Sequence, residues 1–170
     1  VKGKTLKVMS PKDVDKSLKQ LIGFLGLNEN ETTHLPFTKP GSFEPEPKNC
    51  FFNVWIQCDR EGGAFYFGWI LAQDRAHAFS EAQFHCIWRS PKGELLDITP
   101  REDEEERLLF IPDSGRNIEL SSHNGSPALI SYDNVSICKG ELLTGVERIK
   151  VVPQTDMIYR YGLAERGGAP

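Results

Sequence analysis

Residues 49–63, NCFFNVWIQCDREGG, limit what this chain can fold into more than any other stretch. Asn49 is a favoured helix start and Gly62-Gly63 a favoured stop, so the segment predicts a helix. Its apolar residues are Cys50, Phe51, Phe52, Val54, Trp55, Ile56 and Cys58, and they surround the axis instead of lining one stripe. A helix on a surface keeps one polar face. A helix apolar all round is wrapped by the rest of its domain. The fold must therefore build layers around this segment, and the first residue of the segment is a cysteine.

The remaining sequence supplies those layers. Residues 11–25 predict an amphipathic helix, with Ser10 as N-cap, Pro11 at the first helical position and Gly26 as the stop. Val14, Leu18, Leu21, Ile22 and Leu25 recur there at helical spacing. Residues 28–48 carry Pro36, Pro40, Pro45 and Pro47 and read as an extended arm without regular structure. AFYFGWILAQ (64–73) reads as a strand, and RAHAFSEA (75–82) as a loop. QFHCIWR and ELLDIT flank SPKG as a hairpin, with Gly93 in the left-handed position. ERLLFIPD, NIELSS, ALISYD, VSIC and ERIKVV suggest further short strands, HNGS a turn, and GLAERGGAP a loose tail. Helices early and a meandering antiparallel sheet later give an α+β class. The expected divisions are 1–48 (N-terminal helix and proline-rich arm), 49–163 (α+β domain) and 164–170 (tail).

Composition narrows the function classes. A chain of 170 residues suits one compact domain. The net charge is −4 and Lys and Arg form no block, which argues against nucleic acid as a partner. The acidic run REDEEER (101–107) reads as a solvated face. No stretch approaches the roughly 20 apolar residues of a membrane helix, so no membrane partner is expected. The N-terminus is basic but has no apolar core of a secretory signal. The four cysteines, Cys50, Cys58, Cys86 and Cys138, contain no C-x-x-C pair and read as reduced thiols of a cytoplasmic protein. The N-x-S matches at Asn124 and Asn134 are then accidental.

Cys50 would sit at the first turn of its helix. Unpaired backbone N–H groups and the positive end of the helix dipole favour an anion there, and thiolate over thiol. The same N–H groups, that of Cys50 among them, can hold a developing oxyanion. The hairpin adds partners. With Pro91-Lys92-Gly93 as its loop, Ser90 lies opposite Glu94, His85 opposite Thr99 and Asp97 opposite Ile87. Side chains alternate along a strand, so His85 and Asp97 share a face as diagonal neighbours. Phe84, Cys86, Trp88, Leu96 and Ile98 form the other, apolar face. A carboxylate beside an imidazole orients the ring and supports its charged form. The histidine can then take a thiol proton and return it to a leaving group.

EAQFHCIWRSPKGELLDITP (81–100) resembles the histidine-to-aspartate hairpin of the transglutaminase-like branch of papain-like cysteine hydrolases, and NCFFNVWIQCDREGG resembles that family's cysteine helix. The likeness spans roughly residues 45–112. It implies a papain-like α+β core with Cys50 as nucleophile, His85 as general base and acid and Asp97 as orienting carboxylate. It also implies a peptide or protein substrate and no cofactor. The upstream glutamine that papain uses for the oxyanion has no counterpart here, because no glutamine lies between Gln20 and Cys50. The implied function is thiol-dependent acyl transfer: peptidase, amidase or glutamine deamidase. The alternatives are an inactive interaction module of the same fold and a zinc-binding protein using some of Cys50, His85, Cys86 and Asp97. His77 reads as a solvent-facing loop residue, Glu81 as a surface carboxylate, and Trp55, Trp69 and Trp88 as core.

Overall fold

The computed structural model describes residues 5–102, 105–123, 126–147, 150–152 and 156–162. In chain order its helices and strands are α1 (Lys16–Leu25), β1 (Thr33–Pro36), α2 (Cys50–Glu61), β2 (Ala64–Asp74), β3 (Phe79–Arg89), β4 (Leu95–Leu96), β5 (Arg107–Pro112), β6 (Glu119–His123), β7 (Ser126–Ser131), β8 (Val135–Cys138), β9 (Glu141–Thr144), β10 (Lys150–Val152) and α3 (Met157–Arg160). Among the described residues, β1, β5, β2, β3, β8 and β9 lie side by side in that order, with β4 also paired to β3. All of these neighbours are antiparallel. The strands β10, β7 and β6 form a second, smaller antiparallel sheet. The class is α+β, and no described helix is long and apolar enough to cross a membrane. The expected tail, 164–170, and the middle of the HNGS turn lie outside the described residues.

The helix α2 is wrapped as its composition demands. Every residue from Cys50 to Cys58 is buried. Phe52, Val54 and Ile56 join Trp69, Leu71, Cys86 and Ile111 of the sheet and Leu18, Leu21, Ile22 and Leu25 of α1 in one core cluster. Each large side chain fully buried this way stabilises the fold by about 1.5–3 kcal/mol. The residues before Cys50 thus share the core of those after it.

Three element boundaries differ from the sequence reading. The first helix starts at Lys16, because residues 9–10 are held extended. Met9 bridges Gln73, and the Ser10 hydroxyl accepts from the Leu109 N–H at 3.3 Å. Asp15 is the N-cap instead, its carboxylate accepting from the Leu18 N–H at 3.0 Å. The proline-rich arm contains β1, paired antiparallel with β5 at the sheet edge, where Pro36 is tolerated at the last position. The RAHAFSEA loop is a short 3-10 turn, Arg75–His77, after which β3 already begins at Phe79. Asp74 caps that turn, its carboxylate accepting from the His77 N–H at 3.3 Å and lying 2.7 Å from His77 Nδ1.

The hairpin keeps the register read from its turn only near that turn; the expected pairs His85–Thr99 and Ile87–Asp97 do not form, and Asp97 bridges Phe37 instead. The Ser90 N–H donates to the Glu94 carbonyl at 2.9 Å, Trp88 faces Leu96, and Gly93 has φ 86°. The strand β4 is only two residues long. The strand β8 pairs with β3 at Phe79–Ala82, and β4 pairs with it at Trp88–Arg89. Between them, among the described residues, 83–87 have no strand partner on that edge. The sheet has a notch there, with His85 at its centre.

Candidate active site

The helix α2 begins at Cys50. Asn49 stands before it but does not cap it through its side chain, contrary to the usual habit of asparagine there. Its amide turns away to Glu46 Oε2 (3.3 Å) and the Pro47 carbonyl (3.2 Å). The first N–H to find an acceptor within the helix is that of Asn53, on the Asn49 carbonyl at 2.9 Å. The N–H groups of Cys50, Phe51 and Phe52 precede that ladder, as the geometry of a helix start requires. The Asn49 side chain leaves this end uncapped.

His85 and Asp97 meet as expected, although through their side chains across the notch and not through a continued ladder. The ring Nε2 lies 3.1 Å from Asp97 Oδ1, with His85 7% and Asp97 1% exposed. The same Oδ1 accepts from the Thr99 N–H at 3.1 Å, which fixes the carboxylate by a local turn. Asp97 Oδ2 is buried with no partner among the described residues. The Asp97 backbone is fixed too: its carbonyl accepts from the Thr38 N–H at 2.8 Å. With Nε2 engaged, the ring shares its cleft with Cys50, whose charge raises the proton affinity of the imidazole. Burial alone draws the proton affinity of His85 down. The charges of Asp97 and Cys50, with the hydrogen bond to Asp97, more than reverse it and raise the pKa to about 10. A buried carboxylate oxygen without a donor is tolerable beside such a cation, since the imidazolium supplies the compensating charge.

All three predicted residues line one cleft of about 500 Å³. Its walls come from both faces of the sheet: Phe51 and Phe84 from the side of α2, Gln83, Ile70 and Leu108 from the other. A strand's neighbours alternate between faces, so a space touched by both Gln83 and Phe84 sits at the strand edge. It is the notch. The thiol of α2, packed on one face, and the imidazole of the other both line that opening.

The other cysteines have different settings. Cys58 and Cys86 are buried in the core, and burial pushes the Cys58 thiol up to about 11 and that of Cys86 well above its ordinary value. Cys138 is half-buried, its sulfur 3.7 Å from the His77 carbonyl. Among the described residues, no three His, Cys, Asp or Glu side chains are grouped as metal ligands. His77 belongs to the turn that Asp74 caps. Glu81 accepts from the Gln83 amide at 2.6 Å. Trp69 is fully buried, and its ring N–H donates to Asp113 at 2.8 Å.

Sequence reasoning missed several residues here. Gln83 lies two positions before His85 on the same strand and brings an amide into the cleft from downstream of the cysteine. Lys48 and Glu102 both line the cleft and pair at 2.7 Å. Asn53 is fully buried and binds both the arm and Thr99. The available signal for Asn53 was an amide, one of two with Gln57, inside a run of apolar residues on the helix. For Lys48 and Glu102 no local pattern points to the cleft.

No family model, curated protein or solved structure matches this chain. The fold and site together define an α+β protein with a thiol, an imidazole and a carboxylate in sequence at a notch in its sheet.

Proposed function

We propose that this chain is a thiol-dependent acyl-transfer enzyme with a papain-like, transglutaminase-like core. One observation carries the reading. A cysteine at the start of a buried helix shares one cleft with a histidine whose Nε2 rests on a buried aspartate.

The chemistry follows from that arrangement. Cys50 as thiolate attacks the carbonyl carbon of a peptide-like or amide substrate. Its sulfur forms a bond to carbon, and the carbonyl π electrons move onto oxygen. The N–H groups of Cys50 and Phe51 face that oxyanion. Collapse breaks the carbon–nitrogen bond, and His85 gives its proton to the departing amine. The thioester then meets water or another amine. His85 takes a proton from that nucleophile, and the thiolate leaves. Asp97 keeps the ring oriented throughout and stabilises its charged form. Hydrolysis, deamidation and cross-linking differ only in the amine lost and the nucleophile that replaces it. The apolar walls, Phe51, Phe84 and Ile70, suit an uncharged stretch of chain beside the scissile carbonyl.

Alkylation tests this reading. Iodoacetamide at neutral pH, with each cysteine followed by peptide mass spectrometry, should modify Cys50 at least about tenfold faster than Cys58, Cys86 and Cys138. His85→Gln should remove that preference. Equally slow labelling of all four thiols would leave an inactive interaction module of the same fold.

A further inference from the structure

We propose that Asn53 is a positioning residue: it sets the spacing between the Cys50 helix and the Asp97–Thr99 turn, and so the alignment of thiol and imidazole. This deepens the acyl-transfer reading and rests on it for its catalytic meaning.

Asn53 follows Cys50 by three positions, so the two side chains leave the same side of α2. It is fully buried in a helix whose buried residues are apolar except for Asn53 itself and Gln57. Leucine or alanine would suit such a slot and favour the helix more. The amide is instead nearly saturated. Its Oδ1 accepts from the Glu46 N–H at 3.0 Å, and its Nδ2 donates to the Glu46 carbonyl at 2.8 Å and to Thr99 Oγ1 at 3.1 Å.

Thr99 carries the link onward. Its side chain meets Asn53, and its backbone N–H donates to Asp97 Oδ1, the same oxygen that faces His85 Nε2. The path from the cysteine helix to the imidazole thus runs through one buried amide, one hydroxyl and one peptide N–H. Each member is buried, so none has water as a substitute partner. Slack at Asn53 appears as slack between helix and turn, the two parts that hold the thiol and the carboxylate.

A purely structural role would lie in the two bonds to Glu46, which pin the arm. The positioning role lies in the third bond, to Thr99. Thr99→Val removes that bond with little change of shape and leaves both Glu46 bonds and the Asp97–Thr99 backbone bond in place. The readout is the His85 ring titration by NMR in the full-length chain, assigned by its loss in His85→Gln. Thr99→Val should lower the ring pKa by about one unit, a tenfold loss of proton affinity. Asn53→Leu should lower it similarly, and the double variant no further than the larger single change. An unchanged His85 titration in Thr99→Val overturns the proposal, as does full additivity of the two changes. If Asn53→Leu does not fold, Thr99→Val alone decides. Cys50 alkylation in the unaltered chain is read in parallel. Slow alkylation there counts against acyl transfer, while the titration still decides whether Asn53 positions the ring.

Discussion

At the scale of the residue, Asp97 is the most exacting member of the site. One oxygen holds His85 and Thr99, and the other is buried with no donor among the described residues. Asp97→Asn keeps the shape and an acceptor at Oδ1 but removes the charge. Of the influences on His85, that charge is the strongest one opposing burial. Its removal should lower the ring pKa by about 1–3 units, measured by NMR titration, and slow Cys50 alkylation at neutral pH. A ring that titrates unchanged in Asp97→Asn would mean that the contact orients nothing. His85 and Asp97 were legible because a hairpin turn brings its two arms together and alternation sets which side chains share a face, even though the ladder stops at Trp88–Leu96 and Asp97 bridges Phe37. Cys50 was legible because a helix start is a local pattern. Asn53 was not. Its partners, Glu46 and Thr99, come from an arm and a turn that no periodicity joins to the helix. Asn49 misled in the opposite way: its type favours capping, yet Glu46 and Pro47 take its amide and leave the helix end open.

At the scale of the element, β2 and β3 give the site its backing, and Gly68 shows how tightly. It lies opposite His85 in the ladder. A Cβ there would stand 2.2 Å from the Ile111 carbonyl oxygen and 2.3 Å from the Phe110 ring. The ring occupies the place that a side chain would take, and Phe110 belongs to the small cluster with Leu35 and Ile87. Gly68→Ala must push backbone or ring aside. It should cost about 1–3 kcal/mol by denaturant melting, and it should also slow Cys50 alkylation because the strand bearing His85 shifts. Full stability in Gly68→Ala would show that β5 gives way freely. The strands themselves were readable from alternation and β-branched or aromatic content. Boundaries were missed where a distant partner decides them. Ser10 has the chemistry of a cap, but Leu109 takes its hydroxyl. Phe79–Ala82 look like a loop until β8 pairs with them. Thr33–Pro36 become a strand only because β5 offers an edge.

At the scale of the whole molecule, the buried triad ties stability to pH. The class was legible from the order of segments, since one helix apolar all round needs a sheet and a second helix to cover it. The notch was not, because it arises from two strands, far apart in sequence, that share one edge of β3 without meeting. In that notch the His85 pKa is raised to about 10, against about 6.5 in an unfolded chain. The folded state therefore binds this proton more tightly than the unfolded state. The resulting stabilisation is fully present below about pH 6.5 and is lost as pH rises through about 10. It is on the order of a few kcal/mol where present. His85→Gln has no such proton. The difference in unfolding free energy between the unaltered chain and His85→Gln should accordingly be largest near pH 6 and shrink steadily toward about pH 10. Urea melts at several pH values measure it. A difference that stays flat, or grows with pH, would mean that the ring is neutral in the fold, and the ion pair on which the proposed chemistry starts would not exist.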